Sequence, residues 1–324
     1  MSWSIGIDLG GTNIAIGLVD GSCKIVDREI AKTRAPRSAE SLVETMALSV
    51  RELLERNLLD LSDLDAMGIG LPGLVDQKTG LMIEAPNLHL DHIDFISLMG
   101  RHFPQTRIRV GNDGDCAVWG EYLAGEASSF ESALLLTLGT GLGGGFVCEG
   151  RIFRGATGLG IEPGHIAIEA EGGPLCTCGR RGCLEMYVSI RGLNRLIQEG
   201  LQGDLPSSLR YSIKKDNPSG NIKAFFDSVR SHDLPALQIL DRYTGFMAAG
   251  IRTLTLLYRP HIILFGGGIS QAGSILLESL RKALDSSKSG DYILSLPPVA
   301  ISRLGNDAGI IGAAMLHREG TSVR

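Results

Sequence analysis

Three of the chain's six cysteines, Cys176, Cys178 and Cys183, fall within eight positions in "CTCGRRGC", and His165 stands eleven residues upstream in "EPGH". Thiolates and imidazole are the ligands Zn²⁺ prefers. Four of them complete a tetrahedron and leave no position for water, so the set reads as a structural metal site. The C-x-C-x4-C spacing is not the C-x2-C of zinc fingers, which keeps reactive or buried thiols open as an alternative. A disulfide is a weaker one, because no secretory feature accompanies the cysteines. Two carboxylates flank the ligands: Glu162 lies three residues before His165 and Glu185 two after Cys183. A metal would fix them relative to each other in a polar, glycine-rich loop, and its loss is expected to disturb that pair first and the glycine loops elsewhere less. Cys23, Cys116 and Cys148 lie in apolar segments and read as core.

Other chemistry sits where apolar runs stop. Gly10-Gly11-Thr12, followed by Asn13, ends one run; Gly139-Thr140-Gly141 ends a second; Gly266-Gly267-Gly268 ends a third. "GTGLGG" at 139–144 satisfies G-x-G-x-x-G, but the chain then returns to the strand-like "GGFVCEG" instead of opening a helix, so the dinucleotide reading fails. No P-loop motif is present. Glycine turns of this kind still offer backbone N–H groups to phosphate oxygens, and Thr12 and Thr140 add hydroxyls. Asp8, closing the first strand, could hold Mg²⁺ through water. Ligand-free hairpin turns are the alternative for either loop alone. Asn112-Asp113 closes "RIRVGN" ahead of a helix. A carboxylate at a strand's C-terminal end points to where open α/β sheets bind ligands, and could take the proton of a hydroxyl attacking phosphorus. The competing role for either residue is a helix N-cap.

These residues need elements to hold them. "WSIGIDLGGTNIAIGLVDGSCKIVDREI" reads as strand, turn, strand. Leu42, Met46, Val50, Leu53 and Leu54 follow at helical spacing behind Ser38, a candidate N-cap. About 130 residues later the opening pattern returns in "ESALLLTLGTGLGGGFVCEGRIF", which suggests a duplicated domain. Residues 190–260 are largely helical in pattern, broken at "NPSG" (217–220). "HIILFGGGIS", "PPVAISRL" and "NDAGIIGAAMLHRE" supply two late strands and a last helix. Strands alternating with helices give an α/β class.

Composition narrows the function. The 43 glycines among 324 residues exceed the usual share of about 7% without a collagen period. The net charge of −5 gives no basic footprint for nucleic acid. No run approaches the ~18 apolar residues of a membrane span, and the N-terminus lacks a signal-peptide pattern. A cytoplasmic location is therefore expected, with neither membrane nor nucleic acid as partner.

Together the stretches "GIDLGGTNIAIGLVD", "GIGLPGLVD", "APNL", "NDGDCAVWGE", "LGTGLGGGFV", "EPGH", "CTCGRRGCLEMYVS", "LFGGGIS" and "GNDAGIIGAA" resemble the ROK family (repressors, open reading frames and sugar kinases) of the actin-like ATPase superfamily. They run in family order over nearly the whole chain. E-x-G-H followed by C-x-C-G-x-x-G-C-x-E is the specific part.

The resemblance implies a two-lobed actin-like ATPase (ribonuclease H-like) fold with a structural zinc loop. Its lobes would be 1–112 with 305–324, and 113–304, with ATP bound between them. The implied activity is ATP- and Mg²⁺-dependent phosphorylation of a hexose, glucose first. N-acetylmannosamine, N-acetylglucosamine, fructose and allose are the alternative sugars, with polyphosphate a second possible donor and a non-catalytic sugar-binding regulator the lesser alternative function. Asp113 matches the family's general base. Gly73, Asn87, Asn112, Glu162, His165 and Glu185 match sugar-binding positions, His165 serving zinc and sugar through different ring nitrogens. Asp8, Gly10, Gly11, Thr12, Asn13, Thr140 and Gly141 match the phosphate side of the ATP site, and Gly266, Gly267 and Gly268 its adenosine side. A homo-oligomer, a dimer first, is also implied. Family repressors carry a DNA-binding segment ahead of "DLGGT", for which the seven residues before Asp8 leave no room. Two departures are Cys116, where small alanine-like residues are common, and Pro163, where aliphatic or aromatic ones are.

Overall fold

The computed structural model describes residues 2–203, 205–285 and 296–320. In chain order it contains β1 (Trp3–Leu9), β2 (Asn13–Asp20), β3 (Ile25–Lys32), α1 (Ala39–Arg56), β4 (Leu64–Leu71), β5 (Leu74–Asp76), β6 (Leu81–Ala85), β7 (Leu90–Asp94), α2 (Phe95–Gly100), β8 (Ile108–Asn112), α3 (Asp113–Ala124), β9 (Ser132–Leu138), β10 (Leu142–Cys148) and β11 (Arg151–Ile152). These are followed by α4 (Glu185–Val188), α5 (Ile190–Gly200), α6 (Leu209–Ser212), α7 (Pro218–Arg230), α8 (Leu234–Tyr258), β12 (Ile262–Gly266), α9 (Ser274–Asp285), β13 (Val299–Ile301) and α10 (Asp307–Ala314).

Two five-stranded sheets share one design. The first has the order β3-β2-β1-β4-β8 and the second β11-β10-β9-β12-β13. In the first, β1–β2–β3 is an antiparallel meander, and β4 and β8 add in parallel. In the second, β10–β11 is antiparallel and β12–β13 parallel. The returning glycine-turn pattern in the sequence therefore marks the same strand pair of each sheet. A three-stranded sheet, β5-β6-β7, completes the strands described.

The chain divides into two compact units. One holds Met1–Leu135, Gly144–Ile161 and Ser302–Arg324; the other holds Leu136–Gly143 and Glu162–Ile301. This division differs from the lobes expected at 1–112 with 305–324 and 113–304, of which residues 1, 204, 286–295 and 321–324 lie outside the described residues. The reason is how α3 packs. A side chain on Gly120 would collide with the Ala308 carbonyl, and one on Gly312 with the Cys116 carbonyl, so α3 and α10 meet backbone to backbone inside the first unit. Gly6 and Gly68 let α10 approach β1 and β4 in the same way. Trp119, fully buried on α3, donates its Nε1–H to the Met315 carbonyl at 3.0 Å. Apolar strands β1, β2 and β4 and the buried stripe of α1 form the rest of that core, with Ser38 capping α1 through Ser41 N–H as its position suggested. In the second unit α8 packs against α4, α5, α7 and α9. "NPSG" turns out to start α7, with the Asn217 side chain capping Gly220 N–H and Pro218 at the first helical position. Of the cysteines read as core, Cys116 is buried, Cys23 half-buried, and Cys148 exposed at the end of β10. No helix among the described residues is long and apolar enough to cross a membrane.

Candidate active site

Each unit carries its own cluster of candidate residues. In the first unit β8 delivers Asn112 and Asp113 to the start of α3. Of the two roles the sequence offered, the N-cap falls to Asn112. Asn112 is the N-cap: its Oδ1 accepts from Gly114 N–H at 2.8 Å and Asp115 N–H at 3.2 Å, while its Nδ2 donates to the Gly73 carbonyl at 2.9 Å. Gly73 has φ +81°, and a side chain there would strike the Glu84 carbonyl, so only glycine lets the loop pass. With the cap supplied by its neighbour, the Asp113 carboxylate makes a 2.8 Å bond to Gly114 N–H and no cap of its own.

A carboxylate in a helix's first turn is ordinarily favoured by the aligned backbone N–H groups. Here burial outweighs that effect. It pushes the Asp113 carboxyl above the usual range against the lowering by Gly114 N–H and Asn112. Asp8, at the end of β1, is raised to about 7, by burial first and by the charge of Asp113 second. Asp8, half-buried, thus lies in the field of Asp113, whose side chain stays open to solvent although its carboxyl is crowded by the surrounding protein. Glu121, further along α3, is a buried carboxylate of another kind. Leu304 N–H, Glu126 N–H and the Ser302 hydroxyl all donate to it, so it is a structural acceptor.

The first glycine loop closes on itself through Gly10 N–H to the Asn13 carbonyl at 2.9 Å. Buried Thr33 braces it twice: its N–H donates to the Thr12 carbonyl at 3.0 Å and its hydroxyl to the Gly10 carbonyl at 2.7 Å. Among the described residues no backbone partner engages the N–H groups of Gly11 and Thr12. Asn87 is exposed beside this loop, its Cβ 3.9 Å from where a Gly11 Cβ would stand.

In the second unit His165, Cys176, Cys178 and Cys183 present one ligand atom each, all within 4.8 Å of one another. His165 Nδ1 lies 3.5 Å from Cys176 Sγ, and Cys178 Sγ lies 3.6 Å from Cys183 Sγ. A disulfide needs about 2.05 Å. Tetrahedral Zn²⁺ with bonds of about 2.0–2.3 Å spaces its ligands at roughly 3.6–3.8 Å. The donors therefore fit zinc, and the thiols are not bridged. Two short backbone bonds fold the loop around them: Cys176 N–H to the Arg180 carbonyl at 2.8 Å and Leu184 N–H to the Ile166 carbonyl at 2.9 Å.

Glu185, at the start of α4, faces this cluster and the second glycine loop together. Its Oε1 is 3.8 Å from Cys176 Sγ, and its Oε2 accepts from Leu142 N–H at 3.0 Å. A side chain on Gly141 would press on the same Oε2 at 2.6 Å. Here the expectation that the glycine loops lie apart from the metal loop fails: one carboxylate serves both, because α4 starts directly after the last cysteine ligand. Glu162 is exposed at the start of the turn Pro163–His165, where Pro163 occupies a first helical position, and its carbonyl accepts from His165 N–H at 3.1 Å.

Gly267, with φ +82° and no room for a side chain against the Leu138 carbonyl, turns the chain after β12. Next to Gly268 opens a cavity of about 410 Å³ lined by Ile190, Ile222, Lys223, Phe226, Ile269 and Gln271. Apart from Gly268, sequence reasoning missed this lining. The only signal was the "NPSG" break that begins α7, whose residues at 219, 222, 223 and 226 face the cavity at helical spacing.

The family model described as "ROK family" matches residues 4–319. The glucokinase of Thermotoga maritima is 34% identical over 97% of both chains, and that of Halalkalibacterium halodurans 32% identical over 98% of this chain and 95% of its own. A solved ROK family glucokinase from Streptomyces griseus, in complex with glucose and AMPPNP, superposes with a TM-score of 0.80 at 31% identity, covering 97% of this chain and 98% of that one. The chain belongs to the ROK family.

Proposed function

We propose that the protein is an ATP-dependent hexose kinase that converts glucose to glucose 6-phosphate. The observation that carries this reading is the electrostatically coupled Asp113–Asp8 pair, Asp113 solvent-accessible and Asp8 half-buried, at the strand ends of a chain that matches glucokinases along its length. Asp113 takes the proton of the attacking sugar hydroxyl as that oxygen bonds to the γ-phosphorus and the bond to ADP breaks. A carboxylate raised by burial is a stronger base than a solvated one. Asp8 is suited to Mg²⁺ through water, since a divalent cation would offset the two neighbouring carboxylate charges. The unengaged N–H groups of Gly11 and Thr12, with the Thr12 and Thr140 hydroxyls, bind phosphate oxygens, and the apolar walls beside Gly268 take the adenine. Asn13 and Gly141 shape the two phosphate turns. Gly73, Asn87, Asn112, Glu162, His165 and Glu185 recognise sugar hydroxyls. A site built to pair such groups rejects sugars that leave them unpaired. His165 Nδ1, Cys176, Cys178 and Cys183 would hold Zn²⁺, which would supply rigidity rather than chemistry and leave His165 Nε2 for the sugar. The active enzyme is a homo-oligomer, most simply a dimer.

The test is a coupled assay with ATP and a panel of glucose, mannose, fructose, allose, N-acetylglucosamine and N-acetylmannosamine, repeated with polyphosphate as donor. The highest kcat/KM is expected for glucose with ATP. A tenfold preference for an N-acetylhexosamine would reassign the substrate, and no turnover of any sugar would remove the kinase reading.

A further inference from the structure

Asp115 lies two residues beyond Asp113, on the same first turn of α3, and the reaction as described does not use it. Its side chain is 1% exposed. Oδ2 accepts from Gln77 Nε2, whereas Oδ1 is buried without a partner. Gln77 Oε1 in turn accepts from Arg154 Nε at 2.7 Å, and Arg154 forks onto Glu319, with NH2 to Oε2 at 2.6 Å and NH1 to Oε1. Glu319 Oε1 also accepts from Ile152 N–H at 3.0 Å. Four segments distant in sequence thus meet in one polar chain inside the first unit: the start of α3, the turn after β5, the segment after β11 and the end of the chain.

Packing alone does not call for this arrangement. An apolar side chain of similar size would fill the space without the cost of an unpaired oxygen. Glu121, on the same helix, shows how a purely structural carboxylate is treated, with three donors on its two oxygens. Asp115 has one donor for two. The wall on its other side is also close, since a Cβ on Gly160 would stand 3.1 Å from Oδ2. The carboxyl is therefore held in place, buried and only half satisfied.

We infer that Asp115 is a positioning residue for phosphoryl transfer: through Gln77, Arg154 and Glu319 it fixes the first turn of α3, and with it the direction of the Asp113 carboxylate, while placing a second carboxyl in the field of that base. The inference rests on Asp113 being the base. The charged and titratable groups around the pair are Asp8 from β1, Cys116 on α3, whose thiol burial keeps neutral, Arg154, and Glu319. Burial raises Asp115 itself to about 7, so its charge changes across the working pH range. An ionised Asp115 makes Asp113 harder to ionise, because like charges in low dielectric raise each other's pKa.

The experiment compares Asp115→Asn, Glu319→Gln and Asp113→Asn by kcat, sugar KM, the pH profile of kcat/KM and the urea midpoint. Asp115→Asn keeps an acceptor for Gln77 and removes the charge. It should lower kcat about tenfold or more with sugar KM within about twofold, and move the acidic limb of kcat/KM to lower pH by about half a unit or more, with the urea midpoint unchanged or higher. Glu319→Gln, at the less buried end of the chain, should lower kcat severalfold at constant sugar KM, and serves as the test if Asp115→Asn does not fold. Unchanged kcat in both variants, or a loss in Asp115→Asn that comes with a lower urea midpoint and an unshifted limb, overturns the inference. If Asp113→Asn is inactive while Asp115→Asn behaves as wild type, the inference fails alone. If Asp113→Asn stays active, the base assignment beneath it fails.

Discussion

The two units solve one problem, holding a carboxylate still, by opposite means. Asp113 is placed by regular structure: a strand end, a capped helix, and glycines that let α3 and α10 touch. Glu185 is placed by a loop with few apolar side chains, whose shape depends on three thiols, an imidazole and a bond to Leu142 N–H. The first arrangement draws on a core. The second has packing on one side only, where Leu184, Met186, Tyr187 and Val188 are buried in the second unit, so the metal supplies the rigidity of the polar loop on the other side. If this contrast is right, damage to the first cluster should change chemistry, and damage to the second should change binding.

The largest effect should come from Asp113→Asn. The side chains are nearly isosteric, and the Gly114 N–H bond can still be accepted, so fold and sugar affinity should persist. Loss of the base should lower kcat by about 10²–10⁴. Steady-state kinetics beside sugar titration checks this, and retention of more than about a tenth of the activity would remove Asp113 as the base.

The opposite pattern is expected when the metal site is broken. Cys178→Ala should release about one zinc per chain by elemental analysis and raise the sugar KM by about tenfold or more. Because Glu185 also anchors Leu142 N–H, the KM for ATP should rise as well, by a smaller factor. Structural zinc in peptides is worth on the order of 10 kcal/mol, so proteolysis should open the 166–184 loop first. Wild-type kinetics in protein stripped of zinc by a strong chelator would return the thiols to a role in packing.

These unequal foundations also explain what the sequence could reveal. The ligand set of His165 and the three cysteines was legible because metal chemistry fixes residue type and local spacing. The glycine turns were legible because they follow strands, and the duplicated strand pattern appears as two sheets of one order. Asp115 was not legible, because its meaning comes from Gln77, Arg154 and Glu319, tens to hundreds of residues away. The placement of α3 was missed for a related reason: close helix contact depends on glycines opposite carbonyls, and a glycine in a sequence does not say what it faces. The cavity beside Gly268 was hidden because most of its lining comes from one face of α7, whose residues belong to no motif; only Gly268 and Ile269 lie in the glycine stretch.

Within the first cluster, function and stability should oppose each other. Asp8 is raised to about 7, so the folded state holds its proton more tightly than the unfolded chain, whose carboxyl titrates near 3.8. Stability from this group is complete below about pH 4 and declines as pH rises towards 7. Asp8→Asn removes that penalty. Above neutral pH the variant should be more stable by a few kcal/mol at most, with the gain gone by about pH 4. Its activity should fall, since Mg²⁺ loses a carboxylate. Urea midpoints at pH 4 and pH 8 measure the difference, and a variant equally or less stable than wild type at pH 8 would show that Asp8 is stabilised as an anion.

The smallest effect tests whether the first glycine loop needs its brace. Thr33 is buried, and its hydroxyl donates to the Gly10 carbonyl at 2.7 Å while its N–H holds the Thr12 carbonyl. Thr33→Val keeps the β-branched shape and the backbone bond and removes only the hydroxyl. One such bond contributes about 1 kcal/mol net, and leaving a carbonyl short of one partner costs a similar amount. If the brace orders the loop for phosphate, the KM for ATP should rise about fivefold with sugar KM unchanged, because Gly73 and Asn112 are held by a separate bond. Equal changes in both KM values would mean that Thr33 supports the unit as a whole. No change in either would mean that the Gly10 to Asn13 bond suffices to hold the turn, as in the second loop, where Gly139 N–H to the Gly141 carbonyl closes a similar ring at 3.0 Å.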